Sequence, residues 1–119
     1  MTNVFKDIDK FATACDQPPS EENYNMYLGL IAEEYGELVD AVHLNNKVEQ
    51  LDALVDILVV TIGAIRAGNM DAEGAWKEVM DTNFAKINQT TGKVIKREDG
   101  KVLKPAGWKA PELTPFLGE

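Results

Sequence analysis

The amino-acid sequence predicts an all-α fold of four helices, followed by a short hairpin and an extended C-terminal arm. Three observations support this fold class. Apolar residues recur at helical spacing in four consecutive segments, Pro, Asn or Gly residues end the first three, and strand-like alternation occurs only after Thr90. A length of 119 residues corresponds to a single domain, which we place at 1–119 with the arm beginning at about residue 90.

The first two predicted helices are separated by two prolines. The first helix covers residues 4–15, and Pro18-Pro19 ends the segment. The second helix begins after Ser20, which is suited to cap its N-terminus, and it runs to about His43-Leu44, before Asn45-Asn46. Its predicted buried face consists of Leu28, Ile31, Tyr35, Leu38 and Val42.

The third predicted helix, from about Lys47 to Arg66, is apolar almost all the way round between Leu54 and Ile65. A helix of this kind needs cover on every side, so we expect it to be central and buried. It ends at Ala67-Gly68-Asn69, a typical C-terminal signal. The fourth helix follows Asp71, its candidate cap. Its apolar stripe consists of Trp76, Val79, Met80, Phe84 and Ile87.

The chain after Thr90 lacks helical periodicity. Two segments, Val94-Ile95-Lys96 and Val102-Leu103-Lys104, flank Glu98-Asp99-Gly100, which predicts a short hairpin around an Asp-Gly turn. Three further prolines, at 105, 111 and 115, make the remainder an extended arm. Trp108 and Phe116 are the candidate residues for docking this arm on the rest of the protein.

Composition excludes several classes of function. The net charge of −8 argues against binding of nucleic acid or of an anionic membrane, because both would be repelled. The single Cys15 excludes an intramolecular disulfide and a cysteine zinc site. The N-terminus has no signal-peptide pattern, and the longest apolar stretch, Leu54 to Ile65, is too short to span a bilayer. We therefore expect a cytoplasmic protein.

Carboxylates cluster on the second predicted helix, at Glu33, Glu34 and Glu37. At about 100° per residue, Glu34 falls inside the apolar arc of this helix, Glu37 lies at its edge and Glu33 slightly beyond. A carboxylate that faces a core is unfavourable without a partner, and like charges one turn apart repel. The neighbours of Glu34 within this arc are Tyr27, Leu30, Leu38 and Ala41.

The third predicted helix carries a second set of carboxylates. Asp56 interrupts the apolar run, and Asp52 and Glu49 lie one and two turns earlier on the same stripe. Gly63, two turns further along, leaves space above the stripe. Oxygen ligands of this kind suit Mg²⁺ or Mn²⁺. The alternatives are hydrogen-bonded or salt-bridged carboxylates at Glu34 and Asp56, and solvated surface residues at Glu33 and Glu49.

These residues carry a resemblance to a known superfamily. Glu33-Glu34-Tyr35-Gly36-Glu37 fits the Glu-Glu-x-x-Glu motif of the all-α NTP pyrophosphatases, which include MazG-like proteins, dimeric dUTPases and phosphoribosyl-ATP pyrophosphohydrolase. Asp56 resembles the aspartate of the second motif, Glu-x-x-Asp. Asn83-Phe84-Ala85-Lys86 and the run 98–108 resemble the Asn-x-x-Lys and Asp-Gly-Lys-x-Leu-Lys-Pro motifs of the phosphoribosyl-ATP pyrophosphohydrolase-like branch.

The resemblance implies Mg²⁺-dependent hydrolysis of a nucleoside triphosphate between its α and β phosphates, giving a monophosphate and pyrophosphate. It also implies an up-down four-helix bundle completed by oligomerisation into a dimer or tetramer. By this resemblance Glu33 positions or deprotonates the attacking water. The implied Mg²⁺ ligands are Glu34, Glu37 and Asp56, with Asp52 or Glu49. The implied contacts to phosphate or sugar are Asn83, Lys86, Lys101 and Lys104.

One position departs from the superfamily pattern. The glutamate expected three residues before Asp56 is Ala53, so Asp52 or Glu49 has to take its place. Two rival functions stay open: a phosphoribosyl-ATP pyrophosphohydrolase of histidine biosynthesis, and a non-catalytic helical oligomer that binds a structural cation. Asn83 is also compatible with a buried structural role, and Lys101 and Lys104 with ordinary solvated lysines.

Overall fold

The computed structural model describes residues 2–118 and confirms the all-α class. Four α-helices follow one another along the chain, and a short 3-10 turn at Thr114–Phe116 lies near the C-terminus. The helices are α1 (Val4–Ala14), α2 (Glu21–His43), α3 (Lys47–Ala67) and α4 (Ala72–Phe84). Among the described residues, extended segments pair only at isolated bridges and form no sheet. This secondary structure is compatible with a helical bundle.

The chain divides into two compact units, one formed by residues 2–72 with Gly118 and one by residues 73–117. In the first unit, α2 and α3 are joined by a three-residue connection and pack along each other. Tyr27 near the start of α2 lies against Gly63 near the end of α3. At the opposite end, the Gln50 side chain donates a hydrogen bond to the Ala41 carbonyl. The two helices are therefore antiparallel, as a short connection favours.

The helix ends agree with local sequence signals. The Ser20 hydroxyl accepts a hydrogen bond from the Asn23 N–H, and the Asn46 side chain accepts one from the Glu49 N–H. Each bond satisfies an amide that has no partner within its helix. Arg66 connects α3 to α1: its guanidinium pairs with Asp9 at 2.7 Å and donates to the Gln17 carbonyl.

The buried faces differ from the predicted ones. On α2 the buried residues are Tyr27 and Ala41. Of the predicted face, Ile31 and Leu38 are half-buried, whereas Leu28, Tyr35 and Val42 are exposed. The buried face is rotated by about one residue, because it is set by contact with α3. A small core forms around Tyr27, Val60, Ala64 and Ala67.

Burial of α3 on all sides is expected in an oligomer, and the single chain buries it on one face. One face is buried, including Ala53, Val60 and Ile62, but Leu51 and Leu54 remain 65% and 52% exposed. Within the first unit, α1 and α2 pack on α3 and leave these two side chains uncovered. The space expected above Gly63 is also absent, because the Tyr27 ring fills it.

In the second unit, α4 ends at Phe84, so Ile87 lies beyond the helix rather than on its stripe and forms an antiparallel bridge with Val94. Trp76 and Phe84, also on the predicted stripe, are exposed. A second bridge joins Lys96 to Val102 on either side of Asp99-Gly100. Gly100 has φ +89°, a conformation that glycine adopts readily in a tight turn. Within residues 2–118, no helix has both the length and the apolar content needed to cross a bilayer.

Candidate functional site

Glu34 is the most unusual carboxylate of the first unit. It lies on α2 midway between Tyr27 and Ala41, the two buried residues of that helix. Its Oε2 atom is shielded from solvent and has no hydrogen-bond partner among the described residues. An oxygen left in this state costs free energy unless another group, such as a cation, satisfies it.

The surroundings of Glu34 add negative charge. Burial raises the pKa of Glu34, and interaction with Glu37 and then the charges of Asp56 and Asp52 raise it further. One other carboxylate of α2 and two of α3 therefore lie close enough to Glu34 to disfavour its charged form. Helix packing brings them together, because Glu34 and Glu37 face α3 at the level of Asp52 and Asp56.

A cleft of about 290 Å³ opens between the end of α2 and the start of α3. Its lining includes three predicted ligands, Glu37, Asp52 and Glu49, together with Ala53. Asp52 thus lines the cleft beside the alanine that stands at the motif position. Asp52 also affects the pKa of Glu34, and Glu49 is not among the groups that do. The two acids are therefore not equivalent in position.

Glu33, the predicted catalytic carboxylate, is exposed on α2. It is not among the described groups that shift the pKa of Glu34. Glu37, Asp52 and Glu49 are likewise exposed, and Glu34 and Asp56 are half-buried. In the arrangement described for residues 2–118, no three Asp, Glu, His or Cys side chains converge as a ready-made metal site. The unpartnered Glu34 oxygen beside three other carboxylates nonetheless fits a divalent cation, which prefers oxygen ligands.

The predicted phosphate-contacting residues lie in the second unit. Asn83 is half-buried near the end of α4, and its Oδ1 accepts a hydrogen bond of 3.1 Å from the Lys86 ammonium. Lys104 is exposed and lies over the Trp108 ring. Lys101 is exposed, and its N–H donates to Asp99 at the hairpin turn. The structure therefore brings Asn83, Lys86 and Lys104 into one local network with Trp108.

Sequence reasoning missed two features of these sites. Asp40 lines the acidic cleft together with Glu37, three residues earlier on α2, and that i,i+3 spacing was the available signal. Trp108 was predicted only to dock the arm, whereas it contacts two of the candidate lysines. No periodicity in the sequence relates Trp108 to Lys86, because the chain between them is not regular.

A stretch of 70 residues is 39% identical to a protein of Acanthamoeba polyphaga mimivirus called "Uncharacterized protein L479". The match covers 57% of this chain and 28% of the viral protein, so this chain corresponds to little more than a quarter of that relative. The sequence model of the phosphoribosyl-ATP pyrophosphohydrolase family matches residues 8–83, which include all of α2 and α3 and hence every predicted metal ligand. The chain therefore belongs to the phosphoribosyl-ATP pyrophosphohydrolase family, whose activity is the hydrolysis of a phosphoric anhydride.

Proposed function

We propose that this protein is a Mg²⁺-dependent nucleoside triphosphate pyrophosphohydrolase that cleaves between the α and β phosphates. The observation that carries the proposal is the unpartnered, solvent-shielded Glu34 oxygen among the carboxylates of Glu37, Asp56 and Asp52. Folding alone does not favour such a cluster, because burial and the three neighbouring carboxylates raise the cost of ionising Glu34. Family membership supports the same class of reaction.

Glu34, Glu37 and Asp56, with Asp52, would hold Mg²⁺ or Mn²⁺. When bound, the ion supplies neutralisation of the phosphate charge and orientation of the phosphate chain. Glu33 lies on α2 next to Glu34 but is exposed to solvent, so it is free to accept a proton from the attacking water. The water oxygen forms a bond to phosphorus, the α–β anhydride bond breaks, and pyrophosphate leaves. Asn83, Lys86, Lys101 and Lys104 would contact the phosphates or the sugar.

A second candidate is a phosphoribosyl-ATP pyrophosphohydrolase of histidine biosynthesis, and the family match favours it specifically. Both reactions release pyrophosphate from an α–β anhydride, so the two differ in the base and ribosyl contacts rather than in the carboxylate cluster. A non-catalytic oligomer that binds a structural cation would release no pyrophosphate from either compound.

The experiment is pyrophosphate release with Mg²⁺ across a panel of ribonucleoside and deoxyribonucleoside triphosphates that also contains phosphoribosyl-ATP. We expect turnover of at least one triphosphate to exceed that of phosphoribosyl-ATP. Preferential turnover of phosphoribosyl-ATP would establish the second candidate. No release from any compound, with a folded protein, would contradict both enzyme proposals.

A further inference from the structure

The indole ring of Trp108 contacts two ammonium groups. The Nζ atoms of Lys86 and Lys104 lie 5.0 and 4.9 Å from its centroid, within the range in which a cation is attracted to an aromatic face. Because both distances start from the same point, the two ammonium groups are no more than about 10 Å apart. One ring therefore gathers two positive charges from segments 18 residues apart in the chain.

The ring itself is held in place. Its Nε1–H donates a hydrogen bond of 2.7 Å to the Thr82 carbonyl near the end of α4, and Trp108 is half-buried. Its backbone N–H donates to the Pro105 carbonyl, closing the turn that carries Lys104. Lys86 is restrained a second time by its hydrogen bond to Asn83. Long lysine side chains usually lose considerable rotamer freedom when they bind an anion, and here part of that loss has already occurred.

Among the described residues, neither ammonium group has a carboxylate counter-ion. Within residues 73–117, neither Lys86 nor Lys104 has a carboxylate within 4.0 Å. The unit as a whole has eight Lys and Arg residues against six Asp and Glu, whereas residues 1–72 have four against thirteen. A cleft of about 370 Å³ beside Trp108 is lined by Asp81 and Lys109 rather than by Lys86 and Lys104. Positive charge and restraint thus coincide at Lys86 and Lys104, in an otherwise acidic protein.

We propose that Trp108 is a positioning residue, whose ring holds Lys86 and Lys104 as a two-ammonium clamp for the phosphate chain of the nucleotide. Ammonium groups bind phosphate oxygens through short, charge-assisted hydrogen bonds, and two such groups fixed together favour a chain of phosphates over a single one. The nature of the anion rests on the proposed function. Trp108 acts through the lysines and takes no part in the chemical step.

The kinetic test compares Trp108→Leu with Trp108→Phe. Leucine removes both the aromatic face and the hydrogen bond to Thr82, whereas phenylalanine keeps a face for the ammonium groups. We expect Trp108→Leu to raise KM roughly tenfold while kcat changes little, because a binding contact is lost in both ground and transition states. Trp108→Phe should recover part of the loss. A fall in kcat with unchanged KM, or equal effects of the two substitutions, would overturn the clamp.

The binding test uses inorganic pyrophosphate without divalent metal, so that the carboxylates of residues 33–56 do not contribute through a shared ion. Trp76→Phe leaves Trp108 as the only tryptophan, and its fluorescence should change saturably on titration. Lys86→Ala combined with Lys104→Ala should weaken binding at least about tenfold, an effect of two charge-assisted contacts. The matched control is Lys93→Ala with Lys96→Ala, which removes the same charge from the same unit and should bind as the parent does.

These outcomes separate the clamp from the proposed function. If the protein hydrolyses nucleotides but its fluorescence does not change saturably with pyrophosphate, the clamp is contradicted and the proposed function is not. The same holds if the two pairs of lysine substitutions weaken pyrophosphate binding equally. Saturable pyrophosphate binding by a protein that cleaves no nucleotide overturns the function and leaves the clamp standing.

Discussion

Glu34 lies seven residues from each of the two buried residues of α2, at the level where that helix packs on α3. A leucine at this position would pack without an unsatisfied oxygen, whereas the carboxylate is desolvated and faces three others. The Glu34 carboxylate therefore lowers stability as long as its shielded oxygen has no partner. Because the cluster is destabilising without an ion, its contribution to stability should depend on metal.

We expect Glu34→Gln to raise the melting temperature of the metal-free protein by a few degrees, because the amide removes one of the repelling charges. Mg²⁺ should raise the melting temperature of the parent protein, since an ion that binds only the folded state stabilises it. The shift should be much smaller in the variant. Differential scanning fluorimetry with and without Mg²⁺ measures both effects, and equal Mg²⁺ shifts in the two proteins would contradict the assignment of Glu34.

Either Asp52 or Glu49 has to supply the carboxylate that is missing at Ala53. Asp52 lies one turn from Asp56 and affects the pKa of Glu34, whereas Glu49 lies two turns from Asp56, about 10 Å along the helix. We therefore expect Asp52→Asn to lower kcat/KM by about tenfold or more and Glu49→Gln to lower it less. Steady-state kinetics of the two variants under the same Mg²⁺ concentration test the order. The reverse order would place the ion further toward the start of α3.

The sequence predicts where a helix begins better than it predicts which face of the helix is buried. Ser20 and the Pro18-Pro19 pair are local signals, and the predicted start of α2 is correct. The buried face of α2 depends on α3, which no local pattern contains. Periodicity selected the branched and aromatic residues Leu28, Tyr35 and Val42, but the antiparallel packing buries the neighbouring Tyr27 and Ala41 instead.

The packing of Tyr27 on Gly63 gives an element-scale prediction. A Cβ at position 63 would lie 2.5 Å from the Tyr27 Cε1 atom, so the ring or the helix pair has to move. We expect Gly63→Ala to destabilise the protein by about 1–3 kcal/mol, the usual cost of overpacking a core. Urea denaturation followed by circular dichroism measures the change.

The matched control is Gly29→Ala on α2, where, apart from the backbone of α2 itself and the adjacent residues, no atom of residues 2–118 lies within 4 Å of an added Cβ. Alanine should stabilise an open helical position by roughly 0.5–1 kcal/mol relative to glycine. If both substitutions change the free energy of unfolding in the same direction, the close contact between α2 and α3 is not the controlling factor.

For the whole molecule, the prominent feature is apolar surface that one chain leaves uncovered. Leu54 and Leu58 on α3 are 52% and 50% exposed, although they belong to the most apolar helix of the protein. Exposed apolar area of this kind marks a surface for association. We propose that a second copy of the chain covers it, so that the mass in solution is a multiple of 13.1 kDa.

Light scattering coupled to size exclusion at micromolar concentration tests the oligomer. Leu54→Gln with Leu58→Gln should lower the measured mass toward 13.1 kDa, because polar side chains weaken the apolar contact. Ile95→Gln with Leu103→Gln changes two residues of 59% and 41% exposure in the other unit and should leave the mass unchanged. A monomeric parent protein would contradict the proposal.

The two candidate sites also differ in how much of them the sequence predicts. Helical spacing predicts the acidic residues of α2 and α3 as one group that also contains Glu33 and Glu49. The smaller set around Glu34, which is Glu37, Asp52 and Asp56, follows only from the packing of the two helices. The contact of Trp108 with Lys86 and Lys104 depends on how irregular segments turn, and only the fold brings those residues together.

The measurement that tests the central claim most directly is ³¹P NMR of a reaction with the best triphosphate of the panel, followed with Mg²⁺, without it, and with Glu34→Gln. We predict that the parent protein with Mg²⁺ produces nucleoside monophosphate and pyrophosphate in equal amounts, and that chelation or the substitution reduces the rate by roughly a hundredfold or more. Formation of nucleoside diphosphate and orthophosphate would contradict cleavage between the α and β phosphates. Undiminished turnover by Glu34→Gln would contradict the role of the carboxylate cluster.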